Sequence, residues 1–156
     1  MKGNDKVLAE LNDLLADELT AINQYVVHGE MDENWGYGKL KKLVGGRAIT
    51  EMKHAEKLIE RILFLEGTPV VSKLNPIRIG ADVPKQFTND LVAEMVAVKN
   101  YNKAIKVAME AGDNATKDIL ESILKDEDSH VNQIEEKLDQ IKQMGIQNFL
   151  AIQAGE

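Results

Sequence analysis

The chain has 156 residues, a net charge of −7, 44% apolar and 29% charged residues, three prolines and no cysteine. That is enough chain for one domain with a real core, and the lack of cysteine excludes disulfides, thiolate chemistry and Cys-ligated zinc or iron–sulfur sites. An acidic balance with unclustered Lys and Arg argues against nucleic acid or an anionic membrane as partner and favours small cations.

The first helix is predicted from about Asp5 to Trp35, with Leu8, Leu11, Leu15, Leu19, Ile22 and Val26 at helical spacing. The GYG run at 36–38 ends it. The second is predicted over about Lys39 to Glu66, with Leu40, Val44, Ala48, Ala55, Leu58, Ile62 and Leu65 on one side. Gly67 and Pro69 are its expected stop. The third begins near Pro84 and carries Phe87, Leu91, Val98, Tyr101, Ile105 and Ala108 to a turn at Gly112 and Asp113. The fourth covers about Ala115 to Met144, with Leu120, Ile123, Leu124, Val131, Ile134, Leu138 and Ile141, and IQNFLAIQ after Gly145 forms a short helical stub. The start, MKGNDKVLAE, lacks the apolar core of a signal peptide. No run reaches the roughly 18 apolar residues of a membrane span, so a soluble, cytoplasmic protein without a membrane partner is expected.

Two connections are short and join antiparallel neighbours. The middle one, about Gly67 to Val83, is long and contains Pro76, Gly80 and an alternating IRI at 77–79. A helix of about thirty residues is about 45 Å long, and sixteen extended residues reach about 53 Å. The segment can therefore span the bundle and start the third helix parallel to the second. The expectation is a single all-α domain over residues 1–156: a ferritin-like four-helix bundle with one long crossover loop and a short C-terminal fifth helix.

Glu51 and His54 lie in ITEMKHAEKL, and Glu127 and His130 in LKDEDSHVNQI, each pair placed on an apolar stripe. Glu18 and Glu94 stand among apolar neighbours on the first and third helices. One interval repeats throughout: Glu18 to Glu94 spans the same stretch of chain as Glu51 to Glu127 and His54 to His130. Glu18 therefore precedes Glu51 by as much as Glu94 precedes Glu127. With 15 Glu in the chain, a Glu at any given offset has about a one in ten chance, so the repeated pattern is far from accidental. Taken singly, each residue reads as a partly buried group in an ion pair or hydrogen bond. Six such groups together would cost several kcal/mol each without a cation. Two Fe²⁺ ions balance four carboxylates, and this donor set is that of di-iron and di-manganese carboxylate bundles. Oxygen donors with imidazole favour redox-active iron over zinc.

At these residues the chain resembles the bacterioferritins. The resemblance runs through MKG at the start, DELTAINQYVVH (17–28), NWG (34–36), EMKHAEKLIERILFLEG (51–67), DEDSHVNQIE (126–135) and QMGIQNFL (143–150). It implies an intrasubunit ferroxidase centre that binds two Fe per subunit and uses O₂ or H₂O₂. Glu51 and Glu127 would bridge, Glu18 and His54 would complete one site, and Glu94 and His130 the other. It also implies a 24-subunit homo-oligomer built from dimers, ferric mineral inside, and a ferredoxin-type electron donor.

Met52, rotated about 100° from Glu51, reads from its stripe alone as gap-filling core. The resemblance instead makes it the axial ligand of a haem shared between two subunits, lined by Ile22, Asn23, Val26 and Ile49. Thioether ligation raises haem potential and suits electron transfer. Tyr25 has two readings, a core tyrosine or a hydrogen-bond donor near the site. His28, without a mate in the repeat, reads as structural, Trp35 as packing at a helix end, and Glu30, Asp32 and Glu33 as solvated surface. Gly46 and Thr50 stand where some family members carry His and Asp, so no accessory inner-surface iron site is expected.

Other readings are a rubrerythrin-like or manganese-catalase-like peroxide-consuming enzyme, a non-catalytic haem-binding cage subunit and a DNA-protecting mini-ferritin. The absent cysteines speak against a rubredoxin partner domain, the complete ligand set against a non-catalytic subunit, and the missing basic arm against DNA.

Overall fold

Asn4 opens the first helix. Its Oδ1 accepts the N–H groups of Lys6 at 2.8 Å and Val7 at 3.3 Å, two donors that a helix start leaves free. In the computed structural model, which describes residues 1–155, this helix, α1, spans Asp5–Asn34. It is followed by α2 (Gly38–Phe64), α3 (Val83–Glu110), α4 (Asn114–Met144) and α5 (Ile146–Ala151). Glu156, the last residue of the expected domain, lies outside the described residues. Asp82 and Asp113 cap α3 and α4, accepting from the N–H groups of Lys85 at 2.8 Å and Thr116 at 3.0 Å. Among the described residues no helix is long and apolar enough to cross a membrane.

Three helix ends share one closing motif, with different residues in the left-handed position. Gly36 (φ 87°) ends α1 and Gly112 (φ 72°) ends α3, where a side chain would be strained. At the end of α2, just before the expected stop at Gly67, the left-handed residue is Glu66 (φ 61°). Its N–H returns to the Leu63 carbonyl at 3.0 Å and that of Gly67 to Ile62 at 2.9 Å. At Gly67 an added Cβ would stand 2.6 Å from Leu8 Cδ2, so the Leu8 side chain would have to shift.

The long connection between α2 and α3 is held along α1 by a ladder of polar side chains. Asn12 accepts the Val70 N–H at 2.8 Å and donates to the Thr68 carbonyl at 3.2 Å. Thr20 then accepts from Asn75 N–H at 2.8 Å, Gln24 from Arg78 N–H at 3.1 Å, and His28 Nε2 from Gly80 N–H at 3.0 Å. These partners follow one another at one or two helical turns along α1, so the connection rises beside it from one end of the bundle to the other. The result is the expected all-α topology: α1 packs on α2, α3 on α4, and α1 meets α3. The stub helix α5 closes one end, with Phe149 fully buried and edge-on to Phe87 at 6.2 Å.

The buried face of α1 is turned somewhat from its predicted stripe. Leu11, Leu14, Leu15, Glu18 and Tyr25 are buried, whereas Ile22 lies at the flank and Val26 is half exposed. The apolar core is split accordingly. One layer joins Leu11, Leu15, Leu58, Ile62, Tyr101 and Ile123; a second joins Leu40, Val83, Phe87, Ile134 and Phe149. Polar residues, with a small third apolar cluster of Tyr25, Val44 and Ala48, fill the level between them. Burying an aliphatic side chain of this size contributes about 1.5–3 kcal/mol, so the two layers clamp the bundle on either side of the polar level.

Part of that level is structural. Asp90 accepts from Gln24 at 2.8 Å, lies 2.9 Å from His28 Nδ1, and faces Arg47, whose Nη2 donates to Gln133 at 2.9 Å. Since His28 Nε2 accepts from Gly80, its proton sits on Nδ1 and points at Asp90. His28 is therefore structural, as the sequence suggested. Asp32, expected on the solvated surface with Glu30 and Glu33, is instead 1% exposed with an unpartnered Oδ1. It follows Tyr25 by two helical turns and His28 by one, on the same inward face.

Burial lifts the Asp32 carboxyl to about 7, with His28 opposing and Asp90 adding to the rise. Stability tied to its proton is present below the ordinary carboxylate range and is lost as pH rises through about 7. Asp32→Asn is expected to raise Tm at pH 8 by about 2–4 °C for each kcal/mol recovered, with a smaller gain at pH 5. Thermal melts at the two pH values check this; an equal change at both would exclude ionisation as the cause.

Candidate metal centre

Each long helix delivers its predicted polar group to the same point at mid-bundle. Glu18 comes from α1, Glu51 and His54 from α2, Glu94 from α3, and Glu127 and His130 from α4. The four carboxylates and His54 are at most 1% exposed, and the His130 side chain is 13% exposed. The donor atoms fall into two overlapping groups, each within 4.8 Å: Glu18, Glu51, His54 and Glu127; and Glu51, Glu94, Glu127 and His130. Glu51 and Glu127 belong to both. His54 Nδ1 lies 2.9 Å from Glu127, 3.4 Å from Glu51 and 3.6 Å from Glu18. His130 Nδ1 lies 3.3 Å from Glu51, 3.4 Å from Glu94 and 3.9 Å from Glu127.

Eleven buried side-chain polar atoms in the described residues make no hydrogen bond, and seven of them belong to these six residues. They are Glu18 Oε2, Glu51 Oε1, both oxygens of Glu127, Glu94 Oε2, and Nδ1 of each histidine. Buried polar atoms normally find partners, so a set of orphans all turned inward fits cations at their centre. Acidic oxygens with one imidazole per group form a donor set suited to iron.

Without cations the groups share protons. Burial pushes Glu18 well above the usual carboxylate range, Glu51 adding to the push and His54 opposing it. Burial likewise raises Glu127, against His54, and takes Glu94 to about 7, against His130. On Glu51 burial works upward too, but His130 and His54 outweigh it and hold the carboxyl at about 2. Burial disfavours both imidazolium ions, yet the carboxylates prevail: His54 is raised, and His130 rises to about 9.

Three neighbours complete the geometry, and the sequence signalled only one of them. Tyr25 donates to Glu94 Oε1, so it is both a core tyrosine and a partner of the site. Tyr101, read from the sequence only as part of an apolar stripe, donates to Glu18 Oε1 at 2.7 Å. Burial raises both phenols well above their ordinary range, so both stay proton donors. Tyr25 and Tyr101 stand at the same interval along the chain as the Glu and His pairs. Each tyrosine serves the Glu of the other helical hairpin. Asp126, also unforeseen, places Oδ2 2.8 Å from His54 Nε2.

The remaining predicted residues lie elsewhere. Met52 is on the outer side of α2 and 48% exposed, with Ile49 and Val26 similarly exposed; it is not core. Asn23 is exposed as well. Trp35 is partly exposed at the end of α1, edge-on to Tyr37 at 6.3 Å. Gly46 and Thr50 offer no metal donor beyond the Thr50 hydroxyl, which is back-bonded to the Gly46 carbonyl at 3.2 Å. A cavity of about 430 Å³ leads from the surface between α1, α3 and the long connection to Glu18, Glu51, Glu94 and Glu127. Asp13, Asp17 and Asn100 line its outer part, with Lys73 at its rim 3.5 Å from Asp13.

The chain matches the family described as "Ferritin-like domain" over residues 8–144. It is 43% identical over 154 residues to a bacterioferritin of Rhodobacter capsulatus, covering 99% of this chain and 96% of that protein. A bacterial ferritin of Synechocystis sp. is 41% identical over 154 residues, with 98% and 99% covered. A bacterioferritin of Mycolicibacterium paratuberculosis is 36% identical over 151 residues, with 97% and 95% covered.

Cation binding must displace the protons on Glu18, His54, Glu94 and His130, so affinity is expected to rise with pH between 6 and 9. Air-free calorimetry with Co²⁺ at pH 7 in buffers of different ionisation enthalpy should register release of more than two protons per chain. Binding without net proton release would contradict this picture of the cation-free centre.

Proposed function

The chain belongs to the bacterioferritins, within the ferritin-like domain family, and from that premise we propose that it stores iron as an Fe²⁺-oxidising cage subunit. The observation that carries this reading is the inward set of seven orphaned donor atoms on six converging residues. Two Fe²⁺ ions, as substrate, are bound by Glu18, Glu51, His54, Glu94, Glu127 and His130. Glu51 and Glu127 are the shared ligands because they alone belong to both donor groups. Glu18 and His54 complete one position, and Glu94 and His130 the other.

Four carboxylates balance the +4 charge of two ferrous ions, which removes the cost of burying the site. Loss of one electron from each ion reduces O₂ with two protons to H₂O₂, or H₂O₂ with two protons to two waters. No nucleophile from the protein takes part. The residues of this chain hold the ions close together, keep bulk water out, and supply flexible carboxylate oxygens as the charge rises. Tyr25 and Tyr101 each occupy one oxygen of a terminal Glu and leave its second oxygen free for metal. The cavity under the long connection is the route in, since it reaches Glu18, Glu51, Glu94 and Glu127 from an outer part where carboxylates and the basic Lys73, Arg78 and Lys103 are mixed.

The same reading covers residues 1–156 as one ferritin-like domain and places the protein in the cytosol, in a 24-subunit shell built from dimers. Exposed Val70, Val71, Leu74, Ile77 and Ile79 on the long connection, with Val92, Met95 and Val96 on α3, supply apolar surface for neighbouring copies. Met52 would hold a haem with the same residue of a twofold-related copy. An exposed thioether beside exposed Ile49 and Val26 fits an interface ligand, where a core methionine would be buried. The haem would carry electrons from a ferredoxin-type donor, for reduction of stored ferric iron.

Anaerobic titration is expected to reach two Fe²⁺ per chain, with a fast optical change on adding oxidant. Glu127→Gln should slow that phase by more than the roughly 10–100-fold that loss of an outer-shell partner costs. Saturation well below two irons per chain with no fast phase would defeat the proposal. Separately, Met52→Leu should abolish the haem absorption band while leaving Fe²⁺ oxidation intact, and a band that survives would remove Met52 as ligand.

A further inference from the structure

One constant offset along the chain gives every element of the centre a mate: Glu18 and Glu94, Tyr25 and Tyr101, Glu51 and Glu127, His54 and His130. The mates play matching parts. Each tyrosine donates to the terminal Glu of the other hairpin, and each imidazole turns Nδ1 toward both shared carboxylates. The correspondence breaks at one position. Asp126, one turn before His130 on α4, crosses to His54 and sets Oδ2 2.8 Å from its Nε2. The mate of Asp126 is Thr50, one turn before His54 on α2. Its hydroxyl donates within its own helix, to the Gly46 carbonyl at 3.2 Å.

A carboxylate on the outer nitrogen of a metal-facing imidazole does three things. It keeps the proton on Nε2 and so leaves the Nδ1 lone pair free for a metal. It fixes the ring plane. It makes the imidazole a stronger donor. His54 has this support and is 1% exposed; His130 has no such partner among the described residues, and its side chain is 13% exposed. Asp126 also adds a negative charge beside one position that the other lacks.

We propose that the two metal positions of this chain are unequal, with Asp126 as the positioning residue that sets the order. The position of Glu18 and His54 fills first and holds its ion; that of Glu94 and His130 fills second and exchanges. This rests on the two-ion reading above. It assigns the asymmetry to a single outer-shell difference, Asp126 against Thr50, and not to the ligands, which are alike.

The test uses air-free calorimetry and visible spectra of the full chain titrated with Co²⁺ alone, a probe that does not turn over. Wild-type protein should bind two Co²⁺ in two resolved steps that differ by about tenfold or more. Asp126→Asn should weaken the first step by about 10–100-fold and change the spectrum of the first equivalent, leaving the second near its original affinity. Asp126→Glu should restore much of the first step. Asp126 is half exposed, so these variants keep the core intact. Thr50→Asp, which supplies the missing partner, should tighten the second step and draw the two together. Two equal sites in the wild type, or Asp126→Asn weakening both steps alike, would overturn the proposal and leave the two-ion reading standing. Fewer than two Co²⁺ per wild-type chain would overturn both.

Discussion

Four carboxylates and two imidazoles lie within a few ångströms of one another at a largely buried level of the bundle, and the rest of the chain is arranged around making that tolerable. Left as bare charges in a dry interior, such groups would repel one another at a cost of several kcal/mol each. Proton sharing relieves the repulsion while no cation is present: Glu94 is lifted to about 7, and His130 to about 9. Cations would relieve it more completely, because they would also engage the orphaned lone pairs. The two apolar layers above and below provide the packing that holds the polar level in place. They also set how closely four helices can approach, and hence how far apart the donors stand.

The centre is built twice from one plan. Each hairpin contributes a terminal Glu, a shared Glu, a His and a Tyr at matching intervals. The tyrosines are exchanged, each reaching the terminal Glu of the other hairpin, so neither half completes its own ligand geometry. That exchange couples the docking of the hairpins to the order of the site. The long connection belongs to the same logic. Its rungs on Asn12, Thr20, Gln24 and His28 pin it to α1, and His28 passes the last of these contacts inward to Asp90. The surface strap and the buried polar level are thus joined through one histidine.

Iron storage asks a site to accept ions, oxidise them and let them go. An enclosed but reachable centre suits that cycle: a cavity opens to the surface past Asp13 and Asp17, while the donors stay buried. Carboxylates suit it because they are flexible and hard, and can move between one metal and two as charge changes. Met52 and the apolar residues of the long connection are exposed, whereas the six donor residues turn inward, so apolar surface and buried centre occupy different faces of the bundle.

The amino-acid sequence alone determined the four helices, their order, the long crossover and the six donors, because these follow from local periodicity and from fixed intervals along a helix. An i, i+3 spacing puts Glu and His on one face wherever that helix packs. Relations across helices were decided only by the tertiary structure. Tyr101 resembled any core aromatic until α3 met α1, and Asp126 any surface acid until α4 brought it to His54. Asp32 looked solvated because its acidic neighbours are; a modest turn of α1 about its axis buries it and exposes Val26. At the end of α2 the chain closes one residue before the expected stop at Gly67, with Glu66 in the left-handed position. Helix rotation and through-space partnership arise from the sum of many side-chain contacts, which no single stretch of chain contains.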